Sequence, residues 1–182
     1  MRTLALLLLL VCCAAPLSAA TYYVDVANGN DTTGDGSEQY PWATMSKAEA
    51  NATGGDTVYL RAGTYPKYTA NKLYTPVRTS YLTWKAYPGE EVTIYGVDIA
   101  RHWTQPTFGG YTCYMTFDGF HIHDTTTNDG SVVNMEGARY VRFLNCTIHG
   151  FRDQQAGTSS AYAVNSRENR DVLIENCDIS EA

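Results

Sequence analysis

The chain has 182 residues, 13 basic and 19 acidic, and a formal charge of −6. No basic patch stands out against that acidic balance, so nucleic acid is excluded as an expected partner. With 14 Tyr and 3 Trp the composition fits a β-rich protein, and exposed rings of that kind stack on sugars.

Residues 1–20 read as a secretory signal. Arg2 gives the positive end, Leu4 to Ala15 the apolar run, and Ser18-Ala19-Ala20 a small-residue cleavage site. The run is too short to span a bilayer, and no other segment is apolar enough to cross one. A secreted location follows, extracellular or periplasmic. Loss of Arg2 leaves 12 basic and 19 acidic residues, a charge of −7. The remaining 162 residues suffice for one domain with a real core. Five Cys fall to three, Cys113, Cys146 and Cys177, and an odd count leaves at least one thiol unpaired.

Thr21 to Val26 alternates as a strand. Asn28 to Ser37 is a polar loop. Its Asp31, Thr33 and Asp35 before Gly36 suggest a calcium loop, but the twelfth position is Trp42 where that motif needs Glu. An ordinary turn-rich loop is the expectation. Pro41 to Ala52 predicts a helix, with Met45, Ala48 and Ala52 on one face and Gly54-Gly55 as the stop. Asp56 to Leu60 predicts a strand, Ala62 to Tyr65 a turn, and Tyr68 to Val77 a loop. Tyr81 to Ala86 and Val92 to Tyr95 form a coil pair around Tyr87-Pro88-Gly89-Glu90. His102 to Gly110 reads as an excursion.

From Tyr114 to Ile179 the chain repeats. YMTFDGFHIH begins at Tyr114, YVRFLNCTIH at Tyr140 and DVLIENCDIS at Asp171, so the starts lie 26 and 31 residues apart. Self-similarity at such periods marks a stacked architecture. Apolar residues alternate (Met115, Phe117; Val141, Phe143; Val172, Ile174), and the alternation resumes after a jog (Phe120, Ile122; Cys146, Ile148; Cys177, Ile179). Each copy is two short strands around a corner at Gly119, Asn145 or Asn176, residue types that tolerate left-handed backbone. A third strand per coil comes from SVVNM and AYAVN. There the 31-residue offset lays Val133 over Val164, Asn134 over Asn165, Glu136 over Arg167 and Arg139 over Arg170. The Tyr81 coil lies 33 residues before Tyr114 and is an earlier, less regular copy. The expected fold is all-β, a right-handed parallel β-helix with a short N-terminal capping helix. Cys146 and Cys177 take equivalent inward places on successive coils. Strands roughly 4.8 Å apart are within disulfide reach, but parallel stacking points both sulfurs the same way. Two buried thiols are therefore favoured over a bridge.

These repeats, with the run from Thr21 to Tyr65, resemble secreted right-handed parallel β-helix proteins of the pectate-lyase-like group. In that group a helix such as Pro41 to Ala52 plugs the end of the solenoid. The resemblance implies residues 21–182 as the N-terminal portion of a β-helix domain, truncated at its C-terminal end, since Glu181-Ala182 follows a repeat directly and no cap is written after it. It also implies activity on acidic polysaccharide, foremost as a polysaccharide lyase working by β-elimination. The alternative is a non-catalytic surface or adhesive solenoid that binds glycans or proteins. In calcium-dependent relatives Asp/Glu clusters hold Ca²⁺ and a Lys or Arg is the base. The acidic candidates here are Asp118, Asp124, Asp129, Glu136 and Asp178, and the coil-borne Lys is Lys85. The adjacent Asp pair used by β-helix glycoside hydrolases is missing from the sequence, which lowers that reaction class.

Two clusters could carry chemistry. His121, His123 and His149, with Asp178, project from the outer face of the repeat and are candidate metal ligands or acid-base groups; a solvated face that merely tolerates His is the competing interpretation. Arg139, Arg170, Glu136 and Arg167 are the catalytic candidates. Stacked arginines suit forked contacts to uronate carboxylates, against an ordinary surface ion pair of small value. Of the sequons at Asn30, Asn51 and Asn145, the last falls on a coil corner, where a structural role is expected instead of a glycan.

Overall fold

A computed structural model describes residues 18–70, 78–99, 111–123, 131–150 and 162–180. The chain climbs in coils. After β1 (Thr21–Val24) and α1 (Met45–Asn51), the second coil holds β2 (Thr57–Leu60), β3 (Gly63–Tyr65) and β4 (Tyr68–Thr69). The third holds β5 (Leu82–Ala86), β6 (Val92–Ile94) and β7 (Val97–Ile99), and the fourth β8 (Tyr111–Asp118), β9 (His121–His123) and β10 (Val133–Glu136). The fifth holds β11 (Ala138–Leu144), β12 (Thr147–His149) and β13 (Val164–Arg167), and the sixth begins with β14 (Arg170–Glu175) and β15 (Asp178–Ser180). Like strands stack in parallel into three sheets. The first runs β1-β2-β5-β8-β11-β14, the second β3-β6-β9-β12-β15, and the third β4-β7-β10-β13. This is the parallel β-helix expected from the repeat, its parallel connections turning in the right-handed sense.

Register explains the core. The alternating apolar residues point inward and pile on their equivalents: Val58, Trp84, Phe117 and Phe143 form one such column in the first sheet. Phe117 and Phe143 stack at 5.1 Å and 11°. Ile94, Ile122 and Ile148 form a column in the second sheet, and Val97 and Val133 in the third. All are fully buried, each large side chain contributing about 1.5–3 kcal/mol of apolar burial. The corners behave as their residue types require. Gly119, Asn145 and Asn176 have φ of 82°, 53° and 54°. The inter-coil hydrogen bonds continue through them, Gly119 N donating to Leu144 O at 2.9 Å and Asn145 N to Glu175 O at 3.0 Å.

Several boundaries differ from the sequence expectations. The helix spans Met45–Asn51, shorter than Pro41 to Ala52. Asp31 accepts from the amides of Ala43 (2.8 Å) and Thr44 (3.1 Å), and Thr44 Oγ1 then caps the helix by accepting from Lys47 N at 3.1 Å. Asp31 is thereby committed to the helix entry. The expected turn Ala62 to Tyr65 contains β3, and the expected loop from Tyr68 opens with β4, because both pair with the next coil. β7 was not anticipated; it follows a left-handed corner at Gly96, φ 87°. The excursion His102 to Gly110 and most of the leader lie outside the described residues. Cys113, Cys146 and Cys177 are free thiols; the expected stacking forms, with Cys146 N donating to Cys177 Sγ at 3.4 Å, but Cys146 is buried and Cys177 only half-buried. Burial pushes the Cys146 thiol up to about 12. Among the described residues no helix is long and apolar enough to cross a membrane.

Candidate functional site

The third sheet is bordered by the long connections. Segments 70–81, 100–110, 124–132 and 150–163 all begin or end on one of its strands, whereas the first and second sheets meet through two-residue corners, or through the five residues 87–91 between β5 and β6. Long connections on a rigid scaffold are where binding and catalysis concentrate.

The outer face of this sheet is polar throughout. Val97, Ile99, Val133 and Met135 point inward and are buried, so the residues between them point out. One row reads Thr69, Asp98, Asn134, Asn165 in register. It is a hydrogen-bonded ladder: Asn165 Nδ2 donates to Asn134 Oδ1 at 3.0 Å, and Asn134 Nδ2 donates to Asp98 Oδ1 at 3.2 Å. The next row sets Glu136 beside Arg167.

The bend into the first sheet follows at once. Gly137 (φ 65°) and Glu168 (φ 53°) turn left-handed. Asn169 fastens the turn: its Oδ1 accepts from Ala138 N at 2.6 Å, and its Nδ2 donates to Met135 O at 3.1 Å. Beyond the bend Arg139 pairs with Arg170 in register, and both side chains reach solvent. Tyr140 and Asp171 then take φ of 59° and 56°, and the register shifts between Arg139 and Val141. The irregularity lies in the pairing of β11 with β8, whereas β11 and β14 stay in register through and beyond the arginines. All four catalytic candidates, Glu136, Arg139, Arg167 and Arg170, therefore flank the same bend where the fourth coil passes into the fifth and the fifth into the sixth. Neighbouring strands lie about 4.8 Å apart, so the two arginine side chains leave the backbone close enough for joint contact with one carboxylate.

The histidines occupy another wall. His121 and His123 flank buried Ile122 on the second sheet. His123 and His149 stack at 5.3 Å and 14°, with Tyr95 edge-on to His123 at 5.2 Å. Asp178 is not brought to this pair: it registers with Thr147, which separates it from His121 by a whole coil. Among the described residues no group of three or more His, Cys, Asp or Glu side chains is placed to hold a metal ion.

Several acidic side chains on the coils already have partners. Asp118 accepts from Lys85 at 2.6 Å and from Asn145 at 2.7 Å. Asp98 binds Asn134, and Glu90 takes Arg61 at 2.7 Å. Asp124 and Asp129 lie outside the described residues. Lys85, a base by family analogy, is held as a cation; its hydrogen bond to Asp118 raises its pKa.

Tyrosines of the first sheet pack on one another. Tyr114 and Tyr140 stack at 4.3 Å and 6°, Tyr81 meets Tyr114 edge-on at 5.2 Å, and Arg142 covers Tyr81 at 3.8 Å. Tyr81 and Tyr114 are thus engaged with their neighbours, and Tyr140 gives one face to Tyr114.

Sequence reasoning missed Thr69 and Asp98 in the polar row. Asp98 precedes Asn134 by 36 residues, an offset unlike the 26 and 31 of the regular copies. It missed Arg78 as well, which is buried with Nη2 2.6 Å from Glu49 Oε1. Glu49 also accepts from the Tyr68 hydroxyl.

No protein-family model matches the sequence, and no curated protein matches it. Among solved structures the chain is similar to a rhamnogalacturonan lyase, with a TM-score of 0.45 and 17% identity. The similarity covers 87% of this chain and 56% of that one, so the chain spans little more than half the length of that structure.

Proposed function

We propose that this chain is a secreted protein that binds an acidic polysaccharide along its third sheet and cleaves it by β-elimination, as a polysaccharide lyase. The observation that carries this is the Arg139–Arg170 register pair, set one corner beyond Glu136 and Arg167 on the sheet that the long connections border. Elimination requires removal of a poorly acidic proton alpha to a carboxylate. Two guanidinium groups in forked contact with that carboxylate neutralise it and lower the barrier. In this scheme Glu136 takes the proton. The electron pair forms the carbon–carbon double bond, the glycosidic oxygen on the beta carbon departs, and water reprotonates it. The charge of −7 left once residues 1–20 are removed opposes a polyanion at long range, but screening confines that repulsion to about 8–10 Å, within which the arginines dominate.

The test is release of ultraviolet-absorbing unsaturated uronate from pectate, alginate or chondroitin, repeated with Arg139→Gln and Arg170→Gln. Product that disappears in both variants supports the proposal; product undiminished by either would exclude the arginines from the reaction. A second reading is a non-catalytic glycan-binding solenoid. It is favoured by the Asp98–Asn134–Asn165 ladder, whose amides suit sugar hydroxyls without doing chemistry. It requires retention on the same polymers without turnover. Secretion is checked by N-terminal sequencing of exported protein, which should start at Thr21.

A further inference from the structure

The outer row of the third sheet changes character along the solenoid axis. Asn165 stands on the fifth coil, Asn134 on the fourth and Asp98 on the third. Two neutral amides thus lead from the bend with Arg139, Arg167 and Arg170 to a carboxylate. Asp98 is held there by its strand. Val97 and Ile99 on either side are buried, which turns the side chain outward, and Ala70 N donates to Asp98 O at 2.9 Å. Its register neighbours, Thr69 and Asn134, carry no charge. Its Oδ1 accepts from Asn134 Nδ2 at 3.2 Å, and among the described residues it forms no ion pair. The ladder needs only an acceptor at this position, and an asparagine oxygen would serve. The negative charge is therefore surplus to the ladder.

We propose that Asp98 is a specificity-determining residue: it reserves the place over β7 for an uncharged sugar residue, so the preferred polymer is one whose uronates are interrupted by uncharged residues. The inference deepens the acidic-polysaccharide reading above and rests on it. A chain lying along the row crosses strands about 4.8 Å apart, close to the width of a pyranose ring, so each coil faces about one sugar. A homopolyuronate carries a carboxylate on every residue. With one carboxylate at the arginines, another comes to rest beside Asp98, two coils below Arg139, where like charges repel at short range. A neutral sugar or an esterified uronate avoids that repulsion, and its hydroxyls can donate to the Asp98 carboxylate.

The experiment is affinity electrophoresis of the full chain in pectate, in partly methyl-esterified pectin, and in unsulfated chondroitin, whose uronates alternate with an uncharged amino sugar. The second and third polymers distinguish an esterified uronate from a neutral sugar. Asp98→Asn should strengthen binding to pectate about tenfold and leave the tighter of the other two within about twofold. Asp98→Thr, which removes the charge with a residue suited to strands, should give the same gain. The gain should vanish at about 0.5 M salt, where charges are screened within a few ångströms; a change in the shape of the ladder would persist. Unchanged pectate binding in both variants overturns the proposal. So does weaker pectate binding that a chelator reproduces in the wild type, because Asp98 would then attract the polymer through a bound cation. Arg139→Gln and Arg170→Gln are run alongside. Retention that depends on the arginines but is blind to Asp98 sinks this inference alone. Retention on none of the polymers, by the wild type or any variant, sinks the polysaccharide reading and this inference with it.

Discussion

Lys85 Nζ lies 2.6 Å from Asp118 Oδ2 across the gap between the third and fourth coils. The lysine is thereby a fixed cation on the outer face of the first sheet, and not a base. Its side chain is 41% exposed, so solvent screens the pair and Lys85→Met should destabilise by only about 0.5 kcal/mol. The folded-state pKa is raised, by the hydrogen bond to Asp118 first. The contribution is therefore complete below the unfolded value near 10.5 and fades as pH rises beyond it. Denaturant titrations at neutral pH and at about pH 11 check this: the wild-type advantage over Lys85→Met should shrink at the higher pH.

Tyr65 is a stronger alkaline indicator. Burial pushes its hydroxyl up to about 12, so the folded protein keeps the proton in a range where the unfolded chain loses it. Stability from this group is complete below about pH 10 and falls between there and pH 12. Tyr65→Phe removes the hydroxyl that sits between Val24 O and Arg61 O and should destabilise by about 1–3 kcal/mol. Equilibrium denaturation measures the loss, and ultraviolet titration should show one tyrosine fewer ionising late.

Arg78 should be the most sensitive polar position. It is 3% exposed, and its Nε and Nη1 find no partner among the described residues, so its charge depends on Glu49. Removing either partner strands a buried charge and should cost about 3–5 kcal/mol. Because Glu49 sits on α1, Glu49→Ala should also speed proteolysis near residues 45–51. A loss below 1 kcal/mol in Arg78→Ala would contradict a buried pair.

Asn145 tests the corner. With φ of 53° and its amide donating to Asp118 Oδ1 at 2.7 Å, Asn145→Ala should lose about 1–3 kcal/mol through backbone strain and the missing hydrogen bond. Asn145→Gly should lose less, because glycine accepts the left-handed turn. Peptide mass mapping should find Asn145 without a glycan even though it heads a sequon.

What was legible in the sequence was what repetition imposes. Phe117 over Phe143, Asn145 over Asn176 and Glu136 over Arg167 could be aligned because parallel stacking puts like on like, and a one-residue slip would turn every inward side chain out. The all-β parallel coil and the left-handed corners follow from that constraint. The second and third coils were harder. Gly63–Tyr65 and Tyr68–Thr69 are too short to show alternation, and their pairing is set by the neighbouring coil. The helix length escaped because Asp31, twelve residues before Ala43, fixes where it can begin. At the candidate site Arg139 and Arg170 were found by offset, while Asp98 and Thr69 were hidden by an irregular insertion. The histidine alignment was legible by the same offsets, with His123 stacked on His149. Asp178 falls in line with Thr147 and His121 on successive coils, as the offsets require.

The most direct test of the central claim is to incubate the purified full chain with pectate, alginate and chondroitin, following unsaturated product and polymer retention together. The account predicts turnover of at least one polyuronate and retention that weakens with salt. Arg139→Gln and Arg170→Gln should each lower turnover about tenfold or more, by removing a charge-assisted contact of about 1.5–3 kcal/mol. Neither product nor retention on any of the three would contradict it.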